Sequence, residues 1–108
     1  MHLRGFCVVA RETVEPTSAV HSRFFAPHFG IPEDVVTGSV HSPMAAWLYA
    51  AGVVPGTDGR AAFTAEQGDG LGRPGRLSLE VDLSGESVTR VRIGGAAVTV
   101  LRGVIRVP

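Results

Sequence analysis

The sequence predicts an α+β fold: a strongly curved, mostly antiparallel sheet wrapped around one central buried helix. Three observations carry this. The stretch SVHSPMAAWLYAA, Ser39–Ala51, has helical length and no polar face, and a helix apolar all round is a buried one. Beyond Gly56 the texture changes to short alternating runs broken by glycine or Ser-Gly, the pattern of strands and turns. The composition, 44% apolar and 19% charged over 108 residues, builds a small core in a single domain covering residues 1–108.

The elements follow in chain order. GFCVVA, residues 5–10, is rich in Val and Phe without helical spacing and reads as a strand. RETVEPTSAVHS is polar and interrupted by Pro16, so it reads as a loop. A short strand at Ser22–Ala26 is expected next, followed by a turn where Pro27, Gly30 and Pro32 cluster. Thr37 or Ser39 can cap the helix. Pro43 falls near its first turn, where a missing N–H costs little, and Gly52 stops it as a glycine after a helix does. RAAFTAEQG, GRLSLEVDL, SVTRVRIGG and AAVTVLRGVIRV are then expected strands, with turns at Asp69-Gly70, Ser84-Gly85 and Gly94-Gly95.

Composition excludes several function classes. Ten basic and ten acidic residues give zero net charge, and no basic stripe marks a nucleic-acid surface. The apolar run near the N-terminus, about five residues, is below that of a secretory signal, and no stretch approaches the ~18 apolar residues of a membrane span. The single cysteine, Cys7, has no internal disulfide partner and fits a reducing compartment. The expectation is a cytoplasmic protein without membrane or nucleic-acid partners. The histidines His2, His21, His28 and His41 lack metal-ligand spacing, so no metal site is expected. GDGLGRPG looks like a phosphate loop, but it precedes a strand rather than a helix, and that reading fails.

The candidate site lies at the helix start. Glu33 and Asp34 stand just before Thr37-Gly38-Ser39. Free backbone N–H groups and the helix dipole favour a carboxylate or another anion there. Gly38 lets a ligand approach the backbone, and Asp34 can hold a substrate amine or hydroxyl. Bland readings stand beside these. Asp34 read alone is a turn or capping acid, and Ser39 serves equally as an N-cap or a ligand donor. Glu33 is a solvated or loop-ordering acid, or a general base. His41 faces either a pocket or the core, and Gln67, Arg73 and Pro74 form either the site's rim or a structural turn.

Three motifs in order complete the reading: SRFFAPHFGIPEDVVTGSVHS, EQGDGLGRPGRLSLEV and VRIGGAAVTVLRGVI. Together they resemble the C-terminal half of PhzF-like proteins, the phenazine-biosynthesis family, which share the diaminopimelate-epimerase fold. The resemblance covers most of the chain from Arg23 onward. It implies two similar lobes with the active site between them, of which this chain is one. It places Asp34 at an active-site acid position and Gly38 and Ser39 at a substrate-holding position. It implies a cofactor-independent acid–base isomerisation of a small amino or hydroxy acid. The family's catalytic Glu, and a His near it, lie in the other half and have no visible counterpart here. Val35, Val40 and Ser42 depart from the family pattern; Val40 is bulkier than the usual small residue and narrows the pocket.

Three functional readings follow. The first is an isomerase or epimerase lobe whose site is completed by a second half, through a homodimer or a partner carrying the N-terminal half. The second is a non-catalytic module of the same descent that binds a small ligand or a protein. The third is a fragment of a longer protein, stable because its core helix survives.

Overall fold

The computed structural model describes residues 3–108. Among them, six strands and one α-helix follow in the order β1 (Phe6–Ala10), β2 (Val20–Ala26), β3 (Ile31–Asp34), α1 (Gly38–Ala50), β4 (Arg60–Gln67), β5 (Gly75–Ser84) and β6 (Ser87–Gly95). They form one open sheet in the order β1-β2-β4-β5-β6, with β3 paired to β2 off that path. All pairings are antiparallel except β2–β4, which is parallel with Val20 opposite Ala65 and Ser22 opposite Gln67. The architecture is thus α+β and mostly antiparallel, as expected. No helix among the described residues is long and apolar enough to cross a membrane.

The core forms where the inward faces of β4 and β5 meet α1. Ala61, Ala65, Leu77, Leu79 and Val81 alternate along the strands and pack against Met44, Ala45 and Leu48. Leu48 and Leu79 are fully enclosed; removing such a side chain from water contributes about 1.5–3 kcal/mol. The helix ends as its sequence dictates. Gly52 takes a left-handed φ of 70°, its N–H donates to Tyr49 O, and the Val53 N–H donates to Leu48 O, closing the last turn.

Four expectations are corrected. The helix is not enclosed on all sides: His41, Met44, Ala45 and Leu48 are buried, but Trp47 is 59% exposed. The open sheet gives α1 one packing partner, so its second apolar face has no layer over it. The turn expected after Ala26 contains a strand, β3, which bonds back to β2 beyond a left-handed Gly30. Gly94-Gly95 is not a turn, because both residues lie in β6 opposite Ser78 and Leu77. The segment AAVTVLRGVIRV, expected as a strand, forms no regular structure. Alternation prepares a chain to pair but does not supply the neighbouring edge.

Candidate functional site at the start of the helix

The polypeptide reaches α1 through β3, and Asp34 is the last residue of that strand. Thr37 is the N-cap residue in extended conformation, yet its side chain does not cap. Instead the Thr37 hydroxyl donates to Asp34 Oδ2 at 2.6 Å, and the Val35 N–H donates to Asp34 Oδ1 at 2.9 Å. The carboxylate is therefore held at the mouth by two short local bonds.

Gln67 fixes this loop from below. It is fully buried at the end of β4. Its Oε1 accepts from the Thr37 N–H at 3.1 Å, while Nε2 donates to Asp34 O at 2.9 Å and to Thr37 Oγ1 at 3.1 Å. The amide is the right group because it donates and accepts from one rigid plane. The turn that follows it packs against the same loop. A Cβ at buried Gly68 would meet Val35 O at 2.7 Å and Arg73 O at 2.3 Å, so only glycine permits this approach.

His41 lies beneath the mouth rather than in it. The side chain is fully buried, with Nδ1 at 2.6 Å from Thr37 O and Nε2 at 3.0 Å from Ser22 Oγ. Burial pushes its pKa below the ordinary histidine value, against the opposing bond to Thr37. The ring is accordingly neutral. A carbonyl only accepts, so Nδ1 carries the proton and Nε2 is the acceptor. Ser22 then has one proton to divide between His41 Nε2 and Glu66 O, which lies at 3.1 Å.

Gly38 and Ser39 are exposed at the first turn, and the space beside the Gly38 Cα is open. The first-turn N–H groups have no intrahelical partner, and no side chain among the described residues caps them. The mouth thus combines free donors with a positioned carboxylate. Glu33 takes no part in it. Arg23 grips it with two bonds of 2.8 Å, and that guanidinium holds the Glu33 carboxyl below its usual range, which weakens it as a base. Arg73 is exposed on the outside of the turn after Gly68, where its N–H donates to Gly68 O. Two of the clefts lie beside α1 and the neighbouring turn. One of about 410 Å³ is lined by Cys7, Val9, Val40, Pro43, Met44 and Trp47. Another of about 510 Å³ borders Val36, Gly75, Arg76 and Ile93. Asp34, Ser39 and His41 line neither.

The sequence reading missed Glu66. It is fully buried, where burial alone would raise its pKa. The N–H groups of Val14 and Glu15 and the His21 ring outweigh this and hold it at about 2. His21 Nδ1 lies 2.9 Å away. Arg76 stands beside it, 3.7 Å from Glu66, paired with Asp69 through bonds of 3.0 and 2.8 Å and with Glu15 at 2.8 Å. The donor atoms of His21, Glu66 and Asp69 come together within 4.8 Å, but Arg76 and the backbone already occupy the carboxylates. No sequence signal marks Glu66, because it reads as one more polar residue in an alternating strand.

The fold and the mouth define the chain as an α+β domain with uncapped donors and a positioned carboxylate at a helix start. Comparison with known proteins carries this further. The family model described as phenazine biosynthesis-like protein matches residues 1–103, and the chain belongs to that family. It is 42% identical over 83 residues to an uncharacterized isomerase of Deinococcus radiodurans, covering 77% of this chain and 27% of that protein. It is 35% identical over 98 residues to an uncharacterized isomerase of Clostridium acetobutylicum, covering 91% and 32%. It is 34% identical over 84 residues to the trans-2,3-dihydro-3-hydroxyanthranilate isomerase of Pseudomonas fluorescens, covering 78% and 29%. The chain spans roughly a third of the length of these relatives.

Proposed function

We propose that this chain is the substrate-holding lobe of a cofactor-independent isomerase. It binds a small amino or hydroxy acid at the start of α1, and a second lobe completes the site. The observation that carries this is the mouth itself: a carboxylate fixed by Thr37 and Val35 beside uncapped N–H groups. The donors suit the substrate's carboxylate, and Asp34 suits its amine or hydroxyl. The isomerase names of the relatives support the reaction class.

The isomerisation moves a proton between carbons, and a base must come within about 3 Å of it or act through one water. Glu33 is tied to Arg23, and Asp34 is tied to Thr37 and Val35. The base therefore comes from the completing lobe, a polypeptide corresponding to the rest of the relatives' length. The reaction takes place in biosynthetic metabolism in the cytoplasm.

The test is proton exchange into deuterated water on a panel of amino and hydroxy acids. The chain alone gives little exchange. Adding the remaining two-thirds of a relative restores it, and Asp34→Asn removes it. Robust exchange by the isolated chain, abolished by Glu33→Gln, would show that one lobe suffices. No exchange with the partner present, but retained binding, would make the protein a binding module.

A further inference from the structure

His41 is fully buried in the first turn of α1, and the proposed function leaves it unused. Its surroundings are one proton short. Thr37 O lies 2.6 Å from Nδ1, Ser22 Oγ lies 3.0 Å from Nε2, and Glu66 O lies 3.1 Å beyond Ser22 Oγ. A neutral ring has one N–H, which Thr37 O takes, and the Ser22 proton then serves either Nε2 or Glu66 O. A protonated ring donates from both nitrogens. Nε2–H then goes to Ser22 Oγ, and the Ser22 proton is free for Glu66 O. Every polar atom of this chain of bonds is met only in that state. Burial opposes it, because a charged ring loses its water, and holds the pKa below the ordinary histidine value. No charge on the elements around His41 offsets that cost. Strand β2 offers the Ser22 hydroxyl, β4 the Glu66 carbonyl, and the loop before α1 the Thr37 carbonyl. Elsewhere the helix meets the apolar Leu77, Leu79 and Val91 and the Cys7 thiol, which burial keeps neutral. The Glu66 carboxylate is turned to Val14, Glu15 and His21, and Asp34 is reached only through the Thr37 hydroxyl.

We infer that His41 is a positioning residue of the mouth, and that its ring takes up a proton when a small carboxylate binds at the start of α1. The inference rests on the proposed binding there and adds its regulation. Thr37 is the N-cap residue, whose carbonyl opens the hydrogen-bond ladder of the helix. By holding that carbonyl, Nδ1 fixes the direction of the first-turn N–H groups. An anion on the Gly38 and Ser39 amides sits in the same turn of α1 as the ring. A negative charge brought so near favours the imidazolium, which Ser22 and Thr37 are placed to accept. The coupling is reciprocal: the anion promotes the proton, and the proton tightens the anion. The sign follows. Affinity is highest below the pKa of the free ring and falls as pH rises through the higher pKa of the liganded ring. A rise of about one pKa unit on binding corresponds to about tenfold in affinity.

The probe is lactate, whose carboxylate stays ionised between about pH 5 and 8. It is titrated into the isotope-labelled chain across that range. The ring nitrogens of His41 report its protonation, and the amides of Gly38 and Ser39 report occupancy. The expected result is saturable amide shifts, a His41 ring that passes from one N–H to two on binding, and affinity about tenfold higher at the acid end. His41→Asn keeps a donor for Thr37 O but takes no proton, so it should bind lactate with an affinity independent of pH. Ser22→Ala removes the acceptor of Nε2–H and should abolish the ring's response. The wild-type ring signals decide the matter even where a variant fails to fold. Amide shifts that saturate while the ring keeps one N–H would leave the site standing and overturn the inference. A pH dependence that survives His41→Asn would assign it to another group, such as His21 or His28, and overturn it too. Amides that ignore lactate at every pH would sink the binding reading itself, and the inference with it.

Discussion

Glu66 and Gln67 are neighbours in β4, both fully buried, and alternation sends them to opposite faces. They organise two different kinds of polar cluster. Glu66 gathers the Val14 and Glu15 N–H groups, His21 and the edge of Arg76, and every charge there meets a partner inside the lobe. Gln67 gathers Thr37 and the Asp34 carbonyl without any charge of its own, and the loop it holds ends in uncapped donors. A charge cluster that is internally complete fastens the fold. A neutral clamp beneath open donors suits the proposed role of holding a ligand that arrives from outside. The shifted pKa of Glu66 thus belongs to a cluster whose charges are met within the fold, away from the start of α1.

The comparison breaks most visibly at Glu66. Glu66→Ala leaves the Val14 and Glu15 N–H groups and the His21 ring without their acceptor, while Arg76 keeps Asp69 and Glu15; it should cost about 1–3 kcal/mol for each stranded donor, read by urea unfolding. A loss under about 1 kcal/mol would show that the cluster is held elsewhere. Gln67→Ala strands the Thr37 N–H and should cost about 1–3 kcal/mol, with faster hydrogen exchange at the Thr37 amide. If Gln67→Ala weakens ligand binding far more than Glu66→Gln does, the division between clamp and fastener is sharpened.

Acid separates the two clusters as well. The folded pKa of Glu66, about 2, lies below its ordinary 4.5. The stability this contributes is present above pH 4.5 and is lost as pH falls from there toward 2. Glu66→Gln should flatten that acid limb of the unfolding curve; an unchanged limb would assign it to other carboxylates. Ser39→Ala is the smallest perturbation to the fold, within about 0.5 kcal/mol, since Ser39 is exposed and caps nothing. It should nevertheless weaken binding of a small acid. A variant that binds as well as wild type would leave the backbone donors as the whole anion site.

Periodic features were legible in the sequence and distant ones were not. Helix α1 and strands β4, β5 and β6 follow from local pattern because side-chain spacing alone sets their faces. Strand β3 was hidden by Gly30 and Pro32, which announce a turn, and only its pairing with β2 makes it a strand. The segment after Gly95 shows the converse, an alternating pattern that pairs with no strand among the described residues. At the mouth, Asp34, Thr37 and Gly38 were visible as a run of capping residues. Gln67 was placed at the rim, and its role as a clamp depends on a contact thirty residues away in sequence. Glu66 depends on Val14 and Arg76, and no neighbouring residue betrays its burial.

The central claim is that the start of α1 is the ligand site, and amide chemical shifts test it directly. The labelled chain is titrated with small amino and hydroxy acids while the amides of Gly38, Ser39 and Val40 are followed against those of Val14 and Glu15. The account predicts saturable shifts at the first group, weakened by Asp34→Asn, with the second group still. Shifts centred on Val14 and Glu15, or no saturable shift at Gly38, Ser39 and Val40, would contradict it.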